Sequence, residues 1–285
     1  MPRGLALKTR TLIDTSAAIL AAIQPATVRG VAYKLFTRKL IPDMSKGSTD
    51  KVSRVLTIAR EQGTIPWGSI VDETRAVERR AAWGDLAAFG ETVRDAYHKD
   101  RWDDQPERLF VVSEKNTVGG LLRPVLRRYG VPFQVLHGFG SATALNDLAG
   151  MSASDPRPLT IFYVGDHDPS GRHMSDVDIP GRIDRYGGEA SIVRLAVTPA
   201  QIAAHRLSTF SAHDKRLDSR YGWFLATHGE TCAELDALDP NAVRSLVEGA
   251  IVAKIDAAAW RRSDAAESAE LATLADVFAA WPGAA

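Results

Sequence analysis

The chain holds a single cysteine, Cys232, in 285 residues, and that scarcity excludes both an intramolecular disulfide framework and a cysteine-based zinc centre. It fits a reducing compartment, so the expectation is a cytoplasmic protein. Long apolar runs are missing as well. The best stretch, 17–23, is short, has Asp14 just upstream and leads into a patterned helical segment, so neither a signal peptide nor a membrane span is expected. No internal repeat or low-complexity tract is visible. Net charge is also absent, with 35 Lys and Arg against 35 Asp and Glu, which over the whole chain argues against a polyanionic partner.

What is present begins to reverse that last exclusion. Residues 1–60 carry eleven Lys and Arg against three Asp and no Glu, a local charge of +8. Lys and Arg placed against a phosphate backbone release its counterions, so a basic segment of this kind suits DNA; a solvated basic face has the same composition. At 45% apolar and 25% charged, the chain can bury ordinary cores as one large or two medium domains.

Three patterns follow one another. Residues 25–62 read as two helices. The first is capped by Thr27 and carries an apolar stripe at Val28, Val31, Ala32, Leu35 and Phe36; the second starts at the cap-like Ser48 or Thr49 and runs to Gly63. With Ile65-Pro66-Trp67-Gly68 after them, they suggest a winged-helix-like DNA-binding unit over 1–75. A charged helical connector occupies 76–105. From residue 106 to 240 the pattern alternates: strand candidates at 109–113, 133–137, 160–164 and 191–197 are separated by helical or turn-rich stretches, which implies a doubly wound parallel α/β sheet. Pro124 should break or kink the helix after the first strand. The Ala-rich tail within 241–285 reads as one or two amphipathic helices that pack or dimerise.

In such a sheet, ligands sit beyond the carboxyl ends of the strands. Glu114 follows the first strand and Asp166 and Asp168 follow the third, inside Gly165-Asp166-His167-Asp168-Pro169-Ser170-Gly171. If those two strands are neighbours, three carboxylates converge on one rim, a donor set that suits magnesium and its preference for a few carboxylates, water and substrate phosphate. Taken alone, Asp-x-Asp at a strand end is a turn and helix-cap device. Conjunction with the earlier strand-end Glu-Lys is what favours a metal site.

Ser113-Glu114-Lys115, the His137-Gly138-Phe139-Gly140-Ser141 turn and the Gly165–Gly171 motif resemble the Toprim domain of topoisomerase VI A subunits and related meiotic double-strand-break proteins. Most of residues 25–240 falls within the resemblance. It implies that Glu114, Asp166 and Asp168 bind Mg²⁺, and that the activity is DNA cleavage of the isomerase class. It also implies a homodimer with tyrosine and metal site from opposite protomers, a covalent 5′-phosphotyrosyl intermediate, and a separate GHKL-type ATPase subunit for strand passage. The family's Arg-x-x-x-Tyr pattern falls on Arg29-Gly30-Val31-Ala32-Tyr33, with Ala32 where relatives often carry a second aromatic. Arg29 and Tyr33 lie one turn apart, off the apolar stripe. A phenol with a pKa near 10 needs a nearby cation or base to attack at neutral pH, and Arg29 could serve both the phenol and the phosphate.

Lys51, Arg54 and Arg60 on the second helix are candidate DNA contacts, and equally candidates for solvated surface. His167 and His173 raise a His/Asp transition-metal alternative, disfavoured because the residue between two strand-end aspartates should point away from them. Tyr221-Gly222-Trp223 and Glu234-Leu235-Asp236-Ala237-Leu238 resemble segments of related proteins without indicating a role. Three rival functions remain: a Toprim nuclease using water, a non-catalytic DNA-binding relative, and a small-molecule phosphatase with Asp166 as nucleophile.

Overall fold

The computed structural model describes residues 7–70, 81–136 and 142–280. The amino-terminal unit is built on α1 (Leu7–Ile23), α2 (Val28–Thr37) and α3 (Lys46–Glu61). Leu12, Ile13, Ser16, Ile19, Leu20 and Ile23 recur at helical spacing in α1 and face inward, where they meet Val31 and Leu35 of α2 and Val52, Val55 and Leu56 of α3. The short apolar stretch 17–23 is therefore the end of a core helix. Thr27 caps α2, its Oγ1 accepting the Gly30 N–H at 2.8 Å, a contact whose loss costs about 1 kcal/mol. The start of α3 lies earlier than Ser48: Ser45 is its cap, and the hydroxyls of Ser45 and Ser48 both donate to Asp43 at 2.6 Å, which locks Ser48 inside the first turn. Among the described residues of this unit no strand forms; its one β contact is the isolated parallel bridge between Ala26 and Ile70. The two helices expected over 25–62 are α2 and α3, α1 joins them in one core, and residues 71–75 of the expected winged-helix-like unit lie outside the described residues.

After α4 (Leu86–Ala96) come β1 (Arg108–Ser113), α5 (Asn116–Tyr129), β2 (Phe133–Val135), α6 (Ala142–Ala153), β3 (Leu159–Val164), α7 (Pro169–His173), α8 (Ile179–Arg185) and β4 (Ser191–Ala196). A π-helical turn, Met174–Asp178, joins α7 to α8. The four strands form one all-parallel sheet in the order β2-β1-β3-β4. Side chains alternate across β1: Leu109 and Val111 face α5, while Phe110 and Val112 face α6 and α8. Both faces are thus covered by helices, as the near-continuous apolar strands require. Pro124 does not break α5, which runs through it; the turn its ring crowds contains Gly119 and Gly120, where no side chain stiffens the backbone against adjustment.

The chain then adds α9 (Pro199–His205), a short antiparallel pair of β5 (Phe210–Ser211) and β6 (Thr231–Cys232) flanking α10 (Tyr221–His228), and finally α11 (Pro240–Val252) and α12 (Ala257–Ala279). Val243, Val247 and Ile251 of α11 complete the core shared by β1 and α5. Helix α12 packs back on α4 and the segment after it, with Arg101 bridging Asp264 at 2.7 Å and Glu267 at 3.0 Å. Among the described residues, no helix is long and apolar enough to cross a membrane.

Candidate active site at the carboxyl rim of the sheet

From β1 the chain crosses outward to β2, then returns past β1 to lay down β3 on its other side. That reversal opens a crevice between the carboxyl ends of β1 and β3, the place where parallel sheets bind ligands. Glu114 leaves β1 and Asp166 leaves β3 at this point, from strands paired through Val112 and Tyr163. The adjacency on which the carboxylate reading depended is present. Two glycines allow the turn after β3: a Cβ on Gly165 would lie 2.7 Å from the Tyr163 ring, and one on Gly171 would lie 2.4 Å from the Asp166 carbonyl oxygen.

The two aspartates are 7% and 2% exposed. Asp166 Oδ1 accepts the Leu235 N–H at 2.7 Å and meets Lys115 Nζ at 2.8 Å. Asp168 caps α7, with Oδ1 accepting the Gly171 N–H at 2.7 Å, while its Oδ2 contacts Lys215. The helix-cap role is therefore real and uses only one of its oxygens. Behind the turn, Arg194 donates to the carbonyls of Gly165 and Asp166 at 3.2 and 3.0 Å, which rigidifies the loop from beneath.

Burial, and then the charges of Asp166 and Asp168, push the Glu114 carboxyl up to about 7. Burial also raises Asp166, against the opposing pull of Lys115. Burial works against the charge of Lys115, but Asp236 and Asp166 outweigh it and hold the ammonium well above the lysine range. The rim is a cluster of hard oxygen donors partly neutralised by lysines. Its chemistry fits Mg²⁺, although among the described residues no three His, Cys, Asp or Glu side chains close on one point as a ready ligand set. Lys115 and Lys215 sit on the oxygens that would ligate it, so a cation must displace or join them.

His167 behaves as the Asp-x-Asp geometry requires. Its backbone bridges Ala233 through two 2.9 Å hydrogen bonds, and its ring packs on Phe224 and His228 with centroids 5.5 and 5.9 Å away. Burial, then Arg172 and Arg194, push it down to about 4. His173 packs against Trp223.

Tyr33 is 8% exposed. It lies off the helical unit's own core, as its position on the helix implied, and is buried instead against the segment between β6 and α11. Its hydroxyl donates to Glu234 Oε2 at 3.2 Å, and Arg29 Nε donates to the same oxygen at 2.5 Å while Nη2 reaches the other. The Arg29 carbon Cζ lies 6.0 Å from the Tyr33 ring centroid. Burial, with the Glu234 charge added, raises the phenol above its ordinary value and outweighs the opposing effect of Arg29.

Glu234, Leu235 and Asp236 thus tie the two halves of the molecule together. Glu234 holds Tyr33 and Arg29, Leu235 holds Asp166, and Asp236 joins Lys115 at 3.0 Å to Thr27, the cap of α2, at 3.2 Å. The sequence marked this segment without giving it a task, and no local pattern could have done so. Between the halves lies a cleft of about 570 Å³ whose walls include Arg29, Arg60, Lys115, Asp166 and Glu234. Of the three candidate DNA contacts only Arg60 lines it, its guanidinium stacked on exposed Trp67 at 4.8 Å. Lys51 and Arg54 are exposed on another part of α3. The turn 137–141 lies outside the described residues. No protein-family model matches the chain, and no curated protein matches it.

Proposed function

We propose that this protein cleaves DNA in a magnesium-dependent reaction of the type IIB topoisomerase A-subunit kind, with Tyr33 attacking the phosphodiester. The observation that supports the reading is the nearness of Glu114 to Asp166 and Asp168, whose charges act on its carboxyl at the crevice between β1 and β3, beside a cleft lined by Arg29, Arg60 and Lys115. The strand order with both faces covered is compatible with a Toprim-like winding of the sheet. When bound by Glu114, Asp166 and Asp168, Mg²⁺ supplies charge stabilisation for the phosphate and the leaving oxygen. Arg60 and the basic α3 face offer the duplex its phosphate contacts, with Lys51 and Arg54 on the outer approach. Arg29 sits where it can pair with the scissile phosphate once that anion competes with Glu234 for it. The functional unit in this reading is a homodimer, and strand passage calls for a separate GHKL-type ATPase.

A second reading has a specific observation in its favour: Tyr33 is buried, and that burial raises its phenol above the ordinary value, which suits a nuclease that activates water. Denaturing gels of labelled DNA incubated with Mg²⁺ separate the two. The tyrosine reading expects a protein-linked DNA end that is lost in Tyr33→Phe. Undiminished cleavage with free ends in that variant replaces it with the nuclease, and salt-sensitive DNA binding without any cleavage replaces both with a non-catalytic relative.

A further inference from the structure

Tyr33, Glu234 and Arg29 form a chain of three groups: a hydroxyl, a carboxylate within hydrogen-bond reach of it, and a guanidinium that grips both oxygens of that carboxylate. A nucleophile, a base and a third group that orients the base is the recurring arrangement for activating a weak hydroxyl. We infer that Glu234 is the proton acceptor for Tyr33, delivered from the far end of the chain to the helix that carries the nucleophile. The inference rests on the tyrosine reading of the site.

The location supports the role. Glu234 precedes Leu235, whose N–H is bonded to Asp166, and that bond fixes the backbone next to the base. Asp236 anchors the other side through Lys115 and Thr27. Arg29 and Tyr33 from α2 and Lys215 from the turn after β5 bear on Glu234, with Asp236 beside it near Arg29 at 3.9 Å and with Arg60, Lys115 and Asp166 lining the same cleft. Arg29 cannot itself take a proton, since its guanidinium stays charged, so among the groups bonded to the Tyr33 hydroxyl the carboxylate is the acceptor.

In the step, the Tyr33 oxygen forms a bond to phosphorus as the phosphorus–sugar oxygen bond breaks. The phenolic proton passes to Glu234 Oε2, the leaving sugar oxygen takes one proton from solvent, and Glu234 returns its proton to solvent. One proton is lost and one gained, with no change of redox state. When the phosphate enters the cleft it competes for Arg29, and releasing that grip makes the Glu234 carboxylate a better acceptor at the moment it is needed.

The experiment measures the rate of covalent protein–DNA adduct formation with Mg²⁺ across pH 6 to 10 for the full chain and for Glu234→Gln, Glu234→Ala and Tyr33→Phe. Glu234→Gln keeps a hydrogen-bonding partner but cannot act as a base, so its adduct rate at neutral pH is expected to fall on the order of a hundredfold or more and to climb with pH as hydroxide replaces it. Formate added to Glu234→Ala should restore part of the rate, which a purely structural contact would not permit, and thermal melts identify any variant that fails to fold. Glu234→Gln with the parent rate and pH profile, or Glu234→Ala that folds and ignores formate, overturns the inference while the adduct itself still upholds Tyr33. Cleavage with free ends in Tyr33→Phe, or no adduct from the parent, overturns the reading beneath it.

Discussion

The two ends of the parallel sheet treat charge in opposite ways. At the amino end, Arg157 pairs with Asp155 through two nitrogens, the closer contact at 2.6 Å, and donates to the carbonyls of Trp102 and Asp103 at 2.6 and 2.7 Å. Arg108 beside it donates to the carbonyls of Asp155 and Arg157 at 3.0 Å. Hydrogen bonds from Arg157 drive the Asp155 carboxyl down to about 2. At the carboxyl end, burial and neighbouring carboxylates drive Glu114 up to about 7. One end uses its charges to close the fold; the other holds like charges together at a cost to the fold.

The largest effect should come from removing that conflict. Glu114 binds a proton more readily folded than unfolded, so its contribution is unpenalised below pH 4 and grows unfavourable as pH rises through about 7. Glu114→Gln should therefore stabilise the metal-free protein by about 2 kcal/mol at pH 8, with no gain at pH 4. The same change should lower Mg²⁺-dependent cleavage on the order of a thousandfold. Denaturant melts at both pH values and a cleavage assay check the pair; a variant destabilised at pH 8 would remove the contrast between the two ends.

The opposite substitution tests the opposite end. Arg157→Ala removes the guanidinium from Asp155 and from three carbonyls, including that of Gln105, and should cost about 1 kcal/mol of stability through the lost carbonyl hydrogen bonds. Because the Asp155 carboxyl is held low, its contribution is present above its ordinary range near 4 and is lost as pH falls toward about 2. The loss in Arg157→Ala should accordingly shrink in acid. Cleavage per folded molecule should match the parent, measured by active-site titration against soluble protein. A drop in the specific rate would mean that the amino end also shapes the site.

How much of this was legible in the sequence follows from how local each signal is. The strands and the three carboxylates were readable because an apolar run and the residue just past it lie within a few positions. Tyr33 was readable as lying off its own helix's apolar stripe, but a helical period knows only one core, and the second unit that buries this tyrosine is invisible to it. Glu234 sits 205 positions from Arg29, and Lys215 lies 47 from Asp168. Such pairs are decided by how the units pack, and no local pattern carries that information. Pro124 does not break its helix, and the turn before it holds Gly119 and Gly120, which leave the backbone room to accommodate the ring.

The smallest effect is the most discriminating for the metal. Lys215 lies on Asp168 Oδ2, while Oδ1 is committed to capping α7, so the lysine covers the oxygen that the cap leaves for a cation. If lysine and metal compete, Lys215→Gln should lower the half-saturating Mg²⁺ concentration about fivefold, a modest change because the lysine is partly exposed and its pairing is screened. Equilibrium dialysis or calorimetry with Mg²⁺ measures this without recourse to activity. The metal-free variant should at the same time be less stable than the parent, since Asp168 keeps its cap but loses its counter-charge in a buried position, and Mg²⁺ should restore the difference. A higher Mg²⁺ requirement would instead make Lys215 a partner of the bound cation's environment, holding Asp168 in place for it, and the carboxyl rim would then be preorganised by its lysines where the competition argument has them standing in the way.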